Sequence, residues 1–275
     1  MKTKEVLDFI QMNIDSWNNP KVLKDCFSFI DLTSLNTNDT PAKILDMVNR
    51  VNEFPSHYPD FNEVAAICVY PNFAALVKEN LKREGIKIAV VAGVFPNSQS
   101  FTEVKVLESK LAVQSGADEV DIVLSLNNFL GNNREVASSE ISKIKEAIGE
   151  AHLKVILESG MLSSEELIKE ASELSLKAGA DFIKTSTGKT EPAATPQAAV
   201  IMCNEIKEFY NKTGIKRGFK PAGGIVTSED AVLYYAIVEY ILGREWLNPG
   251  LFRIGASRLA NNLLSDYYKS TIKYY

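Results

Sequence analysis

Apolar residues follow two rhythms along the chain. Short, continuous runs rich in β-branched residues appear at 27–32, 64–70, 87–92, 119–124, 154–158, 181–185, 216–221 and 251–255. Their length and their lack of strict alternation predict strands buried on both faces. Between them, apolar positions return at three- and four-residue spacing, as at Phe73, Leu76, Val77 and Leu81, where Gly85 supplies a stop signal. Ser100 with Glu103 and Ser163 with Glu166 have capping-box spacing, and Thr195-Pro196 joins an N-cap residue to proline at the first helical position. The turn Gly116-Ala117-Asp118 entering EVDIVL is echoed by Gly179-Ala180-Asp181 entering FIKTS. Eight strands alternating with helices predict an α/β chain folded as a (β/α)8 TIM barrel rather than an open doubly wound sheet. The Gly-x-Gly-x-x-Gly dinucleotide fingerprint that would favour the open sheet is absent. An additional N-terminal helix is expected over 3–17, within an extension spanning 1–20, and a short tail over 266–275. No low-complexity linker divides the sequence, so 1–275 reads as one domain.

Composition narrows the function classes. With 275 residues, 45% hydrophobic and 24% charged, the chain can bury a sizeable core. The net charge of −5 argues against a nucleic-acid partner held by phosphate neutralisation. No apolar stretch approaches the ~18 residues of a membrane span, so no membrane partner is expected. The amino terminus carries Glu5, Asp8 and Asp15 and lacks a secretory apolar region, which predicts a cytoplasmic address. Cys26, Cys68 and Cys203 lie far apart without metal-ligand spacing and read as reduced thiols. With only His57 and His152, a multi-histidine metal site cannot be assembled.

Four ionisable residues interrupt or end the strand runs: Asp31 after 27–30, Asp121 inside EVDIVL, Lys184 ending DFIK and Lys220 ending GFK. Barrel enzymes place functional groups at the carboxyl ends of strands, and an ionised group there costs free energy unless it is paired. Each alone reads equally well as part of an ion pair closing the barrel. Two lysines together suggest more, because desolvation and a second cation both depress a lysine pKa and create a neutral, nucleophilic amine. Gly188-Lys189 in KTSTGK and Gly223-Gly224 in KPAGGI offer uncovered backbone, and Ser257 in RIGAS stands near a helix start, all of which suit an anion such as phosphate. KTSTGK is not a P-loop, since Phe182-Ile183 occupy the region where the first glycine of that motif is required.

Taken in order, the segments DLTSLN, AAICVYP, GADEVDIV, KVILESG, GADFIKTSTGK, GFKPAGGI and FRIGAS resemble the deoxyribose-phosphate aldolase family of class I aldolases from about Asp31 to Ser257. The resemblance implies reversible cleavage of 2-deoxy-D-ribose 5-phosphate to D-glyceraldehyde 3-phosphate and acetaldehyde, with no metal or other cofactor. Its partners would be a sugar phosphate and aldehydes, and a homo-oligomer stays open. Lys184 would be the Schiff-base lysine, Lys220 the cation that lowers its pKa, and Asp121 the proton-transfer carboxylate. Asp31 and Asn36 would bind hydroxyls or support the lysine pair, Thr185 would bind substrate at the mouth, Cys68 would either join it there or be a small buried hydrophobe, and Gly188, Lys189, Gly223, Gly224 and Ser257 would receive the phosphate. The chain departs from the family at Arg258, where a second serine is usual, and in the loop 94–100. Its Tyr274-Tyr275 ending either closes over the site or packs on the last helix. Another class I barrel aldolase and a catalytically silent sugar-phosphate binder are the competing readings.

Overall fold

A computed structural model describes residues 2–275. Eight parallel strands form one sheet: β1 (Ile30–Thr33), β2 (Ala66–Val69), β3 (Lys87–Val91), β4 (Glu119–Val123), β5 (His152–Ile156), β6 (Phe182–Lys184), β7 (Gly218–Lys220) and β8 (Ile254–Ala256). From β1 to β7 each strand pairs with the next, β1 also pairs with β8, and the isolated bridges Phe219↔Phe252 and Ala222↔Gly255 join the β7 and β8 regions. This is the expected (β/α)8 barrel with a helical N-terminal addition.

Strand alternation sorts the side chains. Ile67 and Val69 of β2 join the large core between strands and outer helices, whereas Ala66 and Cys68 turn inward with Ala89 and Val91 of β3. Small apolar residues therefore fill one side of the barrel interior, and space on the other side is left for long charged side chains. Helix starts follow their caps: Thr195 accepts from Ala198 N ahead of Pro196–Thr213, and Thr227 with Asp230 forms a capping box for Ser228–Leu242.

Several boundaries differ from expectation. Phe27 and Ser28 end the helix Pro20–Ser28 instead of opening β1, because the cap Asn19 and Pro20 start a helix whose face buries Val22, Leu23, Cys26 and Phe27. The expected helix 3–17 stops at Met12, a 3₁₀ turn spans Ile14–Ser16, and the first helix packs on Pro196–Thr213 and Ser228–Leu242 outside the barrel. The helix after loop 94–100 begins at Thr102 with no side-chain cap from Phe101, so Ser100 and Glu103 do not form the expected box. Ser164, not Ser163, caps Glu165–Lys177. The helix Ala74–Asn80 ends before Gly85, which instead turns the chain into β3 at φ +90°. The last helix reaches Tyr268, which shortens the irregular tail to 269–275.

Candidate active site

The four singled-out ionisable residues meet inside the barrel. Lys184 ends β6 and Lys220 ends β7, side by side in register. Both donate to the same oxygen of Asp121, Oδ2, at 2.8 Å and 2.7 Å. Lys220 also donates to Asp31 Oδ2. The reach of Lys220 depends on Gly255, where a Cβ would stand 3.2 Å from Lys220 Cε and 2.8 Å from Ala222 Cβ.

The network continues deeper through residues that the sequence reading did not single out. Lys154, opposite Asp121 in register, donates to Asp121 Oδ1 at 3.1 Å and to Glu119 Oε2 at 2.5 Å. Arg253 grips Glu119 with both terminal nitrogens, at 3.1 Å and 2.7 Å, and donates to Asp31 Oδ1 at 2.6 Å. All these side chains are almost entirely shielded from solvent. The signal was present in the alternation: Glu119 and Asp121 stand two apart, on one face of an otherwise apolar strand.

Burial and pairing split the lysines. Burial lowers the Lys184 pKa, Asp121 pulls it back up, Lys220 lowers it again, and it ends below the ordinary lysine value. Burial also opposes the charge on Lys220, but Asp121 and Asp31 outweigh it and hold this amine protonated. The two lysines thus differ, one poised to lose its proton and the other to keep it. On Asp121, burial is outweighed by Lys154, Lys184 and Lys220, leaving its pKa well below the usual range. Glu119 behaves alike under Lys154, His152 and Arg253, and Asp31 is lowered by Lys220, Arg253 and Lys154 against burial. Burial raises the Cys68 pKa, so this thiol stays neutral.

These depressed carboxylates set an acid limit. Their stabilisation is present above the unfolded values of about 4 and is lost as pH falls through the lower native values. The thermal midpoint is expected to fall steeply between about pH 5 and pH 2, and a midpoint flat across that window in a calorimetric pH series would contradict the pairing.

Above Lys184 opens a cavity of about 500 Å³. Among the expected residues, Lys184, Asn36 and Ser257 line it, as do Gly188, Lys189, Gly223 and Gly224. Asp31, Cys68, Asp121, Thr185 and Lys220 lie outside its lining. Gly188, Gly223 and Gly224 have φ of 72°, 84° and 77°. The first two glycines face each other closely: a Cβ on Gly223 would stand 2.9 Å from Gly188 Cα. Asn36 is tied to Asp39 and Ser34, and Lys189 reaches across the mouth to donate to Leu35 O at 2.5 Å. Thr185 Oγ1 bonds both the N–H and the carbonyl of Ala222, fastening β6 to the chain after β7. Glu158, at φ 50°, accepts from Thr187 N and Oγ1 and so anchors the KTSTGK loop.

The tail docks at the rim. Tyr274 Oη donates to Arg50 O, Arg50 donates to Tyr274 O, both at 2.7 Å, and Asn261 donates to Tyr275 O. The Tyr275 ring packs beside Phe54 and Phe27, while the residue borders the cavity. In loop 94–100, Ser98 Oγ donates to Val123 O and accepts from Lys105, and Phe95 packs near Tyr70 over the small-residue side of the barrel.

A buried lysine pair bridged by one aspartate thus lies beneath an open cavity. The family model described as DeoC/LacD family aldolase matches residues 27–238. The chain belongs to this aldolase family. A Caenorhabditis elegans protein assigned as a deoxyribose-phosphate aldolase is 44% identical over 249 residues, covering 90% of this chain and 82% of that protein. Among solved structures, the tetrameric deoxyribose phosphate aldolase of Aeropyrum pernix is 25% identical, with a TM-score of 0.72 and coverage of 99% of this chain and 100% of that one. The aldolase QR15 is 29% identical at a TM-score of 0.72, covering 89% and 98%. As a member of the family, this chain is an aldolase, a lyase that makes and breaks carbon–carbon bonds. Among its described residues, no helix is long and apolar enough to cross a membrane.

Proposed function

We propose that this aldolase reversibly cleaves 2-deoxy-D-ribose 5-phosphate to D-glyceraldehyde 3-phosphate and acetaldehyde through a Schiff base on Lys184. The observation that carries the reading is the contrast within the lysine pair: Lys184, depressed and at the cavity floor, beside Lys220, held protonated by two carboxylates. The neutral Lys184 amine adds to the C1 aldehyde, and the carbinolamine loses water to a protonated imine. A base removes the C3 hydroxyl proton, the C2–C3 bond breaks, and its electron pair moves into the imine to form an enamine as glyceraldehyde 3-phosphate departs. Protonation at C2 and hydrolysis release acetaldehyde and restore the amine. Asp121, in contact with both lysines, is the group suited to pass these protons, directly or through water. Asp31 holds Lys220 in place.

The 5-phosphate is assigned to the wall formed by Gly188, Gly223, Gly224 and Ser257, with Lys189 adding charge. The tetramer of the Aeropyrum pernix relative makes a homo-oligomer the expectation here, and the exposed Phe101, Val104, Leu107 and Leu111 offer it an apolar face.

The test is product analysis with 2-deoxyribose 5-phosphate and with unphosphorylated 2-deoxyribose. Glyceraldehyde 3-phosphate and acetaldehyde are expected in equal amounts from the first. Gly223→Ala, which crowds Gly188, is expected to raise KM for the phosphorylated sugar about tenfold, the effect of ~1.4 kcal/mol, while leaving 2-deoxyribose cleavage nearly unchanged. Equal losses on both substrates would remove the phosphate assignment, and no cleavage of either would remove the proposed reaction.

A further inference from the structure

The lysine pair sits in a larger charge set whose sum is informative. Three carboxylates, Asp31, Glu119 and Asp121, face four cations, Lys154, Lys184, Lys220 and Arg253, in the barrel interior. Every strand contributes to this environment or closes it: β2 supplies Cys68, β3 the apolar Ala89 and Val91 with Lys87 exposed to solvent at the strand's start, and β5 also His152, whose Nδ1 is 3.7 Å from Glu119. The cavity wall above carries Arg50, Arg258, Lys189 and Asp46, and Glu158 is bonded under Thr187.

Three of the four cations contact at least two carboxylates: Lys154 touches Glu119 and Asp121, Lys220 touches Asp31 and Asp121, and Arg253 touches Asp31 and Glu119. Lys184 contacts Asp121 alone, through an oxygen it shares with Lys220. With all seven groups ionised, the interior carries one surplus positive charge away from water, a costly state that a titratable group relieves by losing a proton. The least-paired amine is the one to yield it.

We propose that Glu119, Lys154 and Arg253 act as positioning residues that balance the interior at three charges of each sign, leaving Lys184 as the surplus, neutral amine. The proposal rests on Lys184 being the Schiff-base lysine and adds to it a dependence on charges that Lys184 does not touch. The depressed Lys184 and the protonated Lys154, Lys220 and Arg253 agree with it.

The consequence is a pair of opposite shifts. Glu119→Gln removes a negative charge and drives the Lys184 proton off at lower pH. Arg253→Gln removes a positive charge, so that a protonated Lys184 becomes the balancing cation and its proton is held to higher pH. The double variant Glu119→Gln/Arg253→Gln restores the balance, and Arg253→Lys preserves it.

The experiment measures the rate at which acetaldehyde with cyanoborohydride labels Lys184 across pH, mapped by peptide mass, in folded full-length protein. Expected are midpoints displaced in opposite directions by about one pH unit or more, roughly tenfold in rate at a fixed pH on the rising limb, with the double variant and Arg253→Lys near wild type. If Arg253→Gln does not fold, the isosteric Glu119→Gln and the charge-preserving Arg253→Lys decide: a downward shift in the first and none in the second. Labelling of wild-type Lys184 with unmoved midpoints, or midpoints moving the same way in both single variants, overturns the charge balance and leaves the Schiff-base reading standing. No labelling of wild-type Lys184 at any pH overturns the Schiff-base reading and this inference with it.

Discussion

Lys184→Met is expected to lower kcat/KM by on the order of 10⁴-fold or more, because the covalent route disappears and Lys189, the other lysine lining the cavity, is bonded to Leu35 O at the mouth. Lys220 lies in the same register but donates to two carboxylates and stays protonated, so it cannot substitute as nucleophile. Methionine has nearly the same length and carries no charge. Since the replaced amine is the least-paired of the buried cations, thermal stability is expected to be unchanged or to rise. Phosphate binding at the Gly188 and Gly223 wall is expected to survive, which a titration of the variant with inorganic phosphate would check. Activity within tenfold of wild type would mean that Lys184 is not the nucleophile.

Asp121→Asn is expected to act on both activity and stability. Its carboxylate is the junction of Lys154, Lys184 and Lys220, and asparagine keeps the shape while removing the charge that all three share. The loss of proton transfer alone is worth about 10²–10⁴-fold in kcat. Leaving buried cations short of a partner adds a destabilisation of about 3–5 kcal/mol. Denaturant unfolding with the slope unchanged would separate this from a general loosening of the fold. A variant with normal stability would contradict the network as drawn, whatever its activity.

Much of this site was legible in the chain because barrel strands are buried on both faces, so a charge within one stands out. Lys184 and Lys220 were visible as strand-ending cations, and Gly223 as half of a pair just beyond a strand. Arg253 escaped notice because it precedes the short β8, where FRIGAS drew attention to its serine. Lys154 and Glu119 escaped because each was read as a member of a strand run, not as a partner across β4 and β5. Only the parallel register, which sets Asp121 opposite Lys154, brings them together. Local boundaries failed where tertiary contacts prevailed over cap chemistry: Ser98 is pinned to Val123 O and Lys105, so the helix after that loop starts at Thr102 and Ser100 remains outside it. The tail was ambiguous because two tyrosines suit a lid or a packing surface equally. Its hydrogen bonds to Arg50 and Asn261 dock it on the rim.

Borohydride reduction of the protein in the presence of 2-deoxyribose 5-phosphate and, separately, of acetaldehyde, followed by peptide mass mapping, tests the Schiff base on Lys184 directly. A single reduced adduct on Lys184 is expected with both compounds, absent from Lys184→Met. An adduct mapping to Lys220 or Lys154, or none on folded protein, would rule out Lys184 as the Schiff-base lysine.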